Sequence, residues 1–182
     1  MANATVVGVL PASQVSRGAV GSFSVAGVEV VGPLPEPGLV ERCSRRFDVV
    51  PSAISLLRSA DAQLELAALA TDGFDRFSHA HFAALRLAGS VVESVAGGMR
   101  VRRGETFWQR FARLAPEFGL WAVVFEEGAR LRSAMEAGKF DTIRQPDSEY
   151  WISQTREFRS QVLLAFGLDP RTDFTRVLQR VA

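Results

Sequence analysis

The residues best equipped for chemistry lie in one stretch, Asp75-Arg76-Phe77-Ser78-His79-Ala80-His81-Phe82-Ala83-Ala84-Leu85-Arg86. It holds both histidines of the chain, and histidine is the side chain whose ordinary pKa places proton transfer near neutral pH. Arg76 and His81 stand five residues apart, about 140° around a helix, so they flank an apolar stripe rather than stack on each other. His81 falls on that stripe among Phe77, Ala84, Leu85 and Ala88. A histidine so placed is more often a core residue hydrogen-bonded to a neighbour than a catalyst. His79 points to a more polar side, where solvent is its expected partner.

Other chemistries find little material. Cys43 is the single cysteine and lies far from the histidines, so there is neither a Cys/His metal pattern nor an internal disulfide. Gly97-Gly98 lacks the lysine and the strand–loop–helix setting of a phosphate loop. Glu126 and Glu127 are neighbours on a helix, about 100° apart, and cannot share one site. No Gly-x-Ser-x-Gly elbow occurs, and neither of the last two long helices offers the Glu-x-x-His pair of a di-iron bundle. No metal or cofactor is expected. The cations available for binding are Arg86 and the loop arginines Arg100, Arg102 and Arg103. They could hold a phosphate backbone, although three charges beside Glu105 more often form a solvated turn.

The whole chain has 182 residues, 47% of them hydrophobic and 23% charged, with a net charge of +1. That balance gives no electrostatic drive toward nucleic acid or an anionic membrane. No run reaches the roughly 18 apolar residues of a membrane span, so a cytoplasmic protein is expected. Residues 1–45 carry little charge, and Gly32-Pro33-Leu34-Pro35-Glu36-Pro37-Gly38 excludes a helix. They read as a flexible tail. Phe23 to Val30 alternates enough for one short strand, which would lack a partner.

From Pro51 the apolar period becomes helical, with Ser52 as the expected cap. The first stripe runs through Ile54, Leu57, Ala60, Leu64, Ala67 and Ala68, and Asp72-Gly73 ends it. A second helix spans about Phe74 to Ala96. A third carries Phe107, Trp108, Phe111 and Leu114 before Pro116, and a fourth runs from about Glu117 to Ala137. A fifth starts at a Ser148 cap and continues through Trp151, Phe158 and Val162 to Phe166. Residues 48–167 therefore predict an all-α antiparallel bundle of four to five long helices. A short C-terminal helical extension is expected over 168–182, with its helix over about Phe174–Val181. Trp108, Trp121 and Trp151 belong to the predicted core, each needing a partner for its indole N–H.

The pattern Arg76-Phe77-x-x-Ala80-His81-x-Ala83-Ala84-Leu85-Arg86 follows a helix bearing Ala62, Leu66, Ala67 and Ala70. Together they resemble the second helix of HEPN (higher eukaryotes and prokaryotes nucleotide-binding) domains. Leu114-Ala115-Pro116-Glu117, Trp121-Ala122 and Gly128-Ala129-Arg130 to Glu136-Ala137-Gly138 extend the resemblance, toward an uncharacterised actinobacterial branch. It covers about Pro51 to Gly167. It implies a four-to-five-helix bundle that dimerises through helix faces. Many HEPN proteins are metal-independent ribonucleases with an Arg-x4–6-His motif at the dimer cleft, and Arg76-x4-His81 has that spacing. The family motif usually lies in a later helix with a polar residue after the arginine, where this chain has Phe77.

Three functions are compatible with this sequence. The favoured one is a non-catalytic binding or regulatory module, a homodimer whose further partner is RNA, a nucleotide or a protein. The second is a ribonuclease in which Arg76 holds phosphate and His81 moves the proton. The third is a purely structural homodimer.

Overall fold

In the computed structural model the described residues are 22–25, 28–31, 47–95, 102–138 and 147–174. The chain divides into two compact units, residues 1–34 and 35–182. In the first, strands β1 (Ser22–Val25) and β2 (Val28–Val31) pair antiparallel, with Phe23 opposite Val30 and Ser24 opposite Glu29. The alternating stretch is thus two strands that partner each other, not one unpaired strand. The remainder of the expected tail lies outside the described residues.

The described residues of the second unit form a helical bundle. Its helices are α1 (Pro51–Leu69), α2 (Gly73–Val95), α3 (Phe107–Leu114), α4 (Gly119–Glu136) and α5 (Ser148–Ala165). A single 3-10 turn, Pro116–Phe118, joins α3 to α4. The expected sixth helix, from about residue 174, lies almost wholly outside the described residues.

The helix starts differ from expectation in an instructive way. Pro51 itself occupies the first turn, where its missing N–H costs nothing, and Val50 caps α1 without a side-chain bond. Ser52 caps nothing. Asp72, expected as a breaker, starts α2: its Oδ1 accepts from the Phe74 and Asp75 amides at 2.8 and 3.1 Å. At α5 the cap is Asp147 rather than Ser148, accepting from the Glu149 and Tyr150 amides. Thr106 and Gln109 form a reciprocal capping box on α3.

α2 is the central helix and packs against both α1 and α5. It buries Phe77, Ala80, His81, Ala84, Leu87, Ala88 and Val91. The α1 stripe is rotated slightly from expectation, onto Ala53, Leu57, Ala60, Leu64 and Ala67. Ile54 is only half-buried and Ala68 is exposed. Phe111, Phe118, Phe125 and Phe158 form the middle of the core, with ring centroids 5.2–6.0 Å apart in neighbouring pairs. All three tryptophans are buried as expected.

Candidate functional site

His81 sits where α2, α3 and α4 meet. It has no exposed surface, and the rings of Phe77 and Trp108 lie beside it at 6.2 and 6.1 Å. Its Nε2 is 3.0 Å from the Phe125 carbonyl oxygen on α4. That oxygen can only accept, so Nε2 carries the ring proton and Nδ1 keeps a lone pair. Nδ1 has no hydrogen-bond partner. Burial pushes the pKa of His81 down from 6.5 to about 4; the Phe125 carbonyl opposes the shift and the Arg132 charge adds to it. At neutral pH the ring is uncharged.

Gly128 explains how α4 comes so close. A Cβ there would lie 2.8 Å from His81 Cδ2 and 2.9 Å from two ring carbons of Trp151. Only glycine lets the α4 backbone rest against both rings.

Arg76 is engaged elsewhere. It forms an ion pair with Glu149 at the start of α5 and donates to the Ala70 carbonyl at 3.3 Å. The guanidinium thus ties the α1–α2 connection to α5, while His81 lies one and a half turns further along α2, beneath α4. Arg86 bridges α2 to α1, donating from Nε to Ser59 Oγ at 2.6 Å and from Nη1 to the Phe82 carbonyl. Arg102 and Arg103 are exposed in the loop before α3, and Arg100 lies outside the described residues. His79 is half-buried and bonds Gln63 on α1 at 2.9 Å, so its partner is a side chain rather than solvent.

Two charge pairs escaped the sequence reading. Glu105 accepts both Nε and Nη2 of Arg113, at 2.7 and 2.9 Å, and these bonds hold its carboxyl down to about 2. Asp61, buried on α1, accepts Nε and Nη2 of Arg159 on α5 at 2.5 and 2.8 Å. Arg159 also donates to the Pro170 and Thr172 carbonyls, and Asp61 takes the Phe174 amide at 3.1 Å. The pair thereby straps residues 170–174 onto the bundle. A carboxylate four residues from Leu57 on a buried stripe was the available signal.

Among the described residues no group of three His, Cys, Asp or Glu side chains could hold a metal ion, and no helix is long and apolar enough to cross a membrane.

HEPN domains have a helical fold, and the described bundle is helical. The model of the SAV_6107-like HEPN family matches residues 67–163, more than half of the chain, and the chain belongs to that family. The match runs from the end of α1 nearly to the end of α5 and includes both Arg76 and His81. No curated protein and no solved structure matches the chain.

Proposed function

We propose that this HEPN chain is a non-catalytic binding or regulatory module that acts as a cytoplasmic homodimer. The observation that carries the reading is the state of His81: sealed from solvent, bonded to the Phe125 carbonyl and uncharged at neutral pH. An acid or base in RNA cleavage must reach the 2′-hydroxyl or the leaving oxygen within hydrogen-bond distance. Arg76 supports the same reading, since its charge is met by Glu149. The dimer is supported by the frequency with which HEPN domains dimerise, and Leu120 and Val123, exposed one turn apart on α4, offer an apolar face for it.

The ribonuclease alternative makes different demands on the same two residues. Wild type, Arg76→Ala and His81→Ala are incubated with structured and single-stranded RNA in EDTA, and melting is followed in parallel. The module reading expects no cleavage by wild type and a lower melting temperature for His81→Ala. Metal-independent cleavage that both substitutions abolish at unchanged melting temperature would establish the nuclease. Light scattering at tens of micromolar is expected to give a dimer; a monomer there contradicts the assembly.

A further inference from the structure

α4 turns Trp121, Phe125 and Gly128 into the bundle. Its other side leaves two large apolar residues in solvent, Leu120 at 58% and Val123 at 37% exposure. At about 100° per residue, they share that side with Glu127, Arg130, Ala134 and the C-cap residue Ala137. The steps between these residues alternate three and four along the chain, which keeps them in one seam. It is the spacing by which two helices interlock side by side along their length.

The seam complements itself when two copies run antiparallel with Glu127 of one level with Arg130 of the other. Leu120 then meets Ala137, Val123 meets Ala134 and Glu127 meets Arg130, each pair twice about a two-fold axis. Large side chains face small ones, and opposite charges face each other in the middle. A parallel pair would instead set Glu127 beside Glu127 and Arg130 beside Arg130. Sliding the antiparallel pair by one layer, in either direction, opposes Glu127 to itself or Arg130 to itself, and like charges face to face disfavour both. Arg130 reaches back to its own Glu127 at 3.2 Å and its own Glu126 at 4.0 Å, yet its side chain stays 52% exposed. A guanidinium has five N–H donors, so donors remain for a carboxylate opposite.

We infer that a second copy of this chain docks on the outer face of α4, helix against antiparallel helix, in a register set by reciprocal Glu127–Arg130 pairs. The inference rests on the homodimer of the module reading and gives it a surface, an orientation and a charge code. Because Gly128 seats α4 against His81 and Trp151, the rotation that presents the seam is fixed in each copy before the two meet.

The test follows self-association of the full chain by sedimentation over a concentration series, with melting measured for each variant. Glu127→Arg and Arg130→Glu are each expected to weaken the dimer about tenfold or more, since each sets like charges opposite one another twice. Mixed in equal amounts, the two variants regain opposite charges in both pairs, and native mass spectrometry is expected to find the mixed dimer in excess over either self-dimer. Both substitutions on one chain are expected to return wild-type self-association. Neither recovery follows if the single substitutions merely disturb the helix that carries them. Leu120→Gln is expected to weaken pairing, and Leu69→Gln, at an exposed leucine on α1, to spare it. Single charge variants that pair like wild type, or a mixture that pairs no better than its parts, would overturn the inference while leaving a homodimer through another face. A monomeric wild type would overturn the inference and the homodimer together. RNA cleavage by wild type would overturn the non-catalytic reading alone, whatever the sedimentation gives.

Discussion

Acid is expected to loosen this bundle through one side chain. The folded protein depresses the pKa of His81 from 6.5 to about 4, chiefly because the charged ring would lose its water. The unfolded chain takes up that proton near its ordinary pKa while the folded chain refuses it. The stability contribution is therefore fully present above about pH 6.5 and is lost as the pH falls toward about 4. Each pH unit in that window removes about 1.4 kcal/mol, so lowering the pH from neutrality to about 5 removes about 2 kcal/mol. For a chain of this length that is a fall of about 4–8 °C in melting temperature. Glu105 titrates in a separate window: its depressed carboxyl loses its contribution only below its ordinary value of 4.5 and toward about 2. The assay is urea unfolding of wild type and His81→Gln at about pH 7 and about pH 5. Glutamine carries its amide nitrogen out to about where the ring Nε2 stood, so it can still donate toward the Phe125 carbonyl but does not titrate. The variant is expected to be less stable at neutrality and nearly indifferent to pH between the two conditions. An equal loss in both proteins would refute the argument and assign the acid sensitivity to other groups.

Gly128→Ala is expected to lower stability by about 1 kcal/mol: overpacking against His81 and Trp151 costs about 1–3 kcal/mol and outweighs the roughly 1 kcal/mol gain in helix propensity. A raised melting temperature would contradict it. Asp61→Ala leaves the Arg159 guanidinium largely buried without its carboxylate, at a cost of about 3 kcal/mol. Limited proteolysis is then expected to cut near Thr172 faster than in wild type, and unchanged cleavage would show that the strap does not depend on the pair.

The helical period was legible because Phe, Trp and Leu recur at the right spacing, and the positions of α2, α3 and α5 followed from it. Stripe edges were not. Ile54 and Ala68 lie at the margin of the α1 face, where burial depends on how α2 is rotated rather than on residue type. Caps misled because Ser52 and Ser148 have the right chemistry but already lie inside the first turn, behind Val50 and Asp147 at the cap positions. At the site, the arginine–histidine spacing was readable, whereas the partners of those residues were not. Glu149 lies 73 residues beyond Arg76, and the Phe125 carbonyl belongs to a backbone whose approach depends on Gly128. The buried nitrogens His81 Nδ1 and Trp108 Nε1, which have no protein partner, had no sequence signature, since an unmet hydrogen bond is a property of the packed state.

Gly128 also constrains how the bundle can move. Successive side chains on a helix are about 100° apart, so turning α4 by one position would bring the Cβ of Glu127 or Ala129 into a slot that accommodates only a hydrogen. Sliding the helix along its axis meets the same obstacle. The glycine works as a key in a keyway, fixing both the rotation and the depth of α4 against His81 and Trp151.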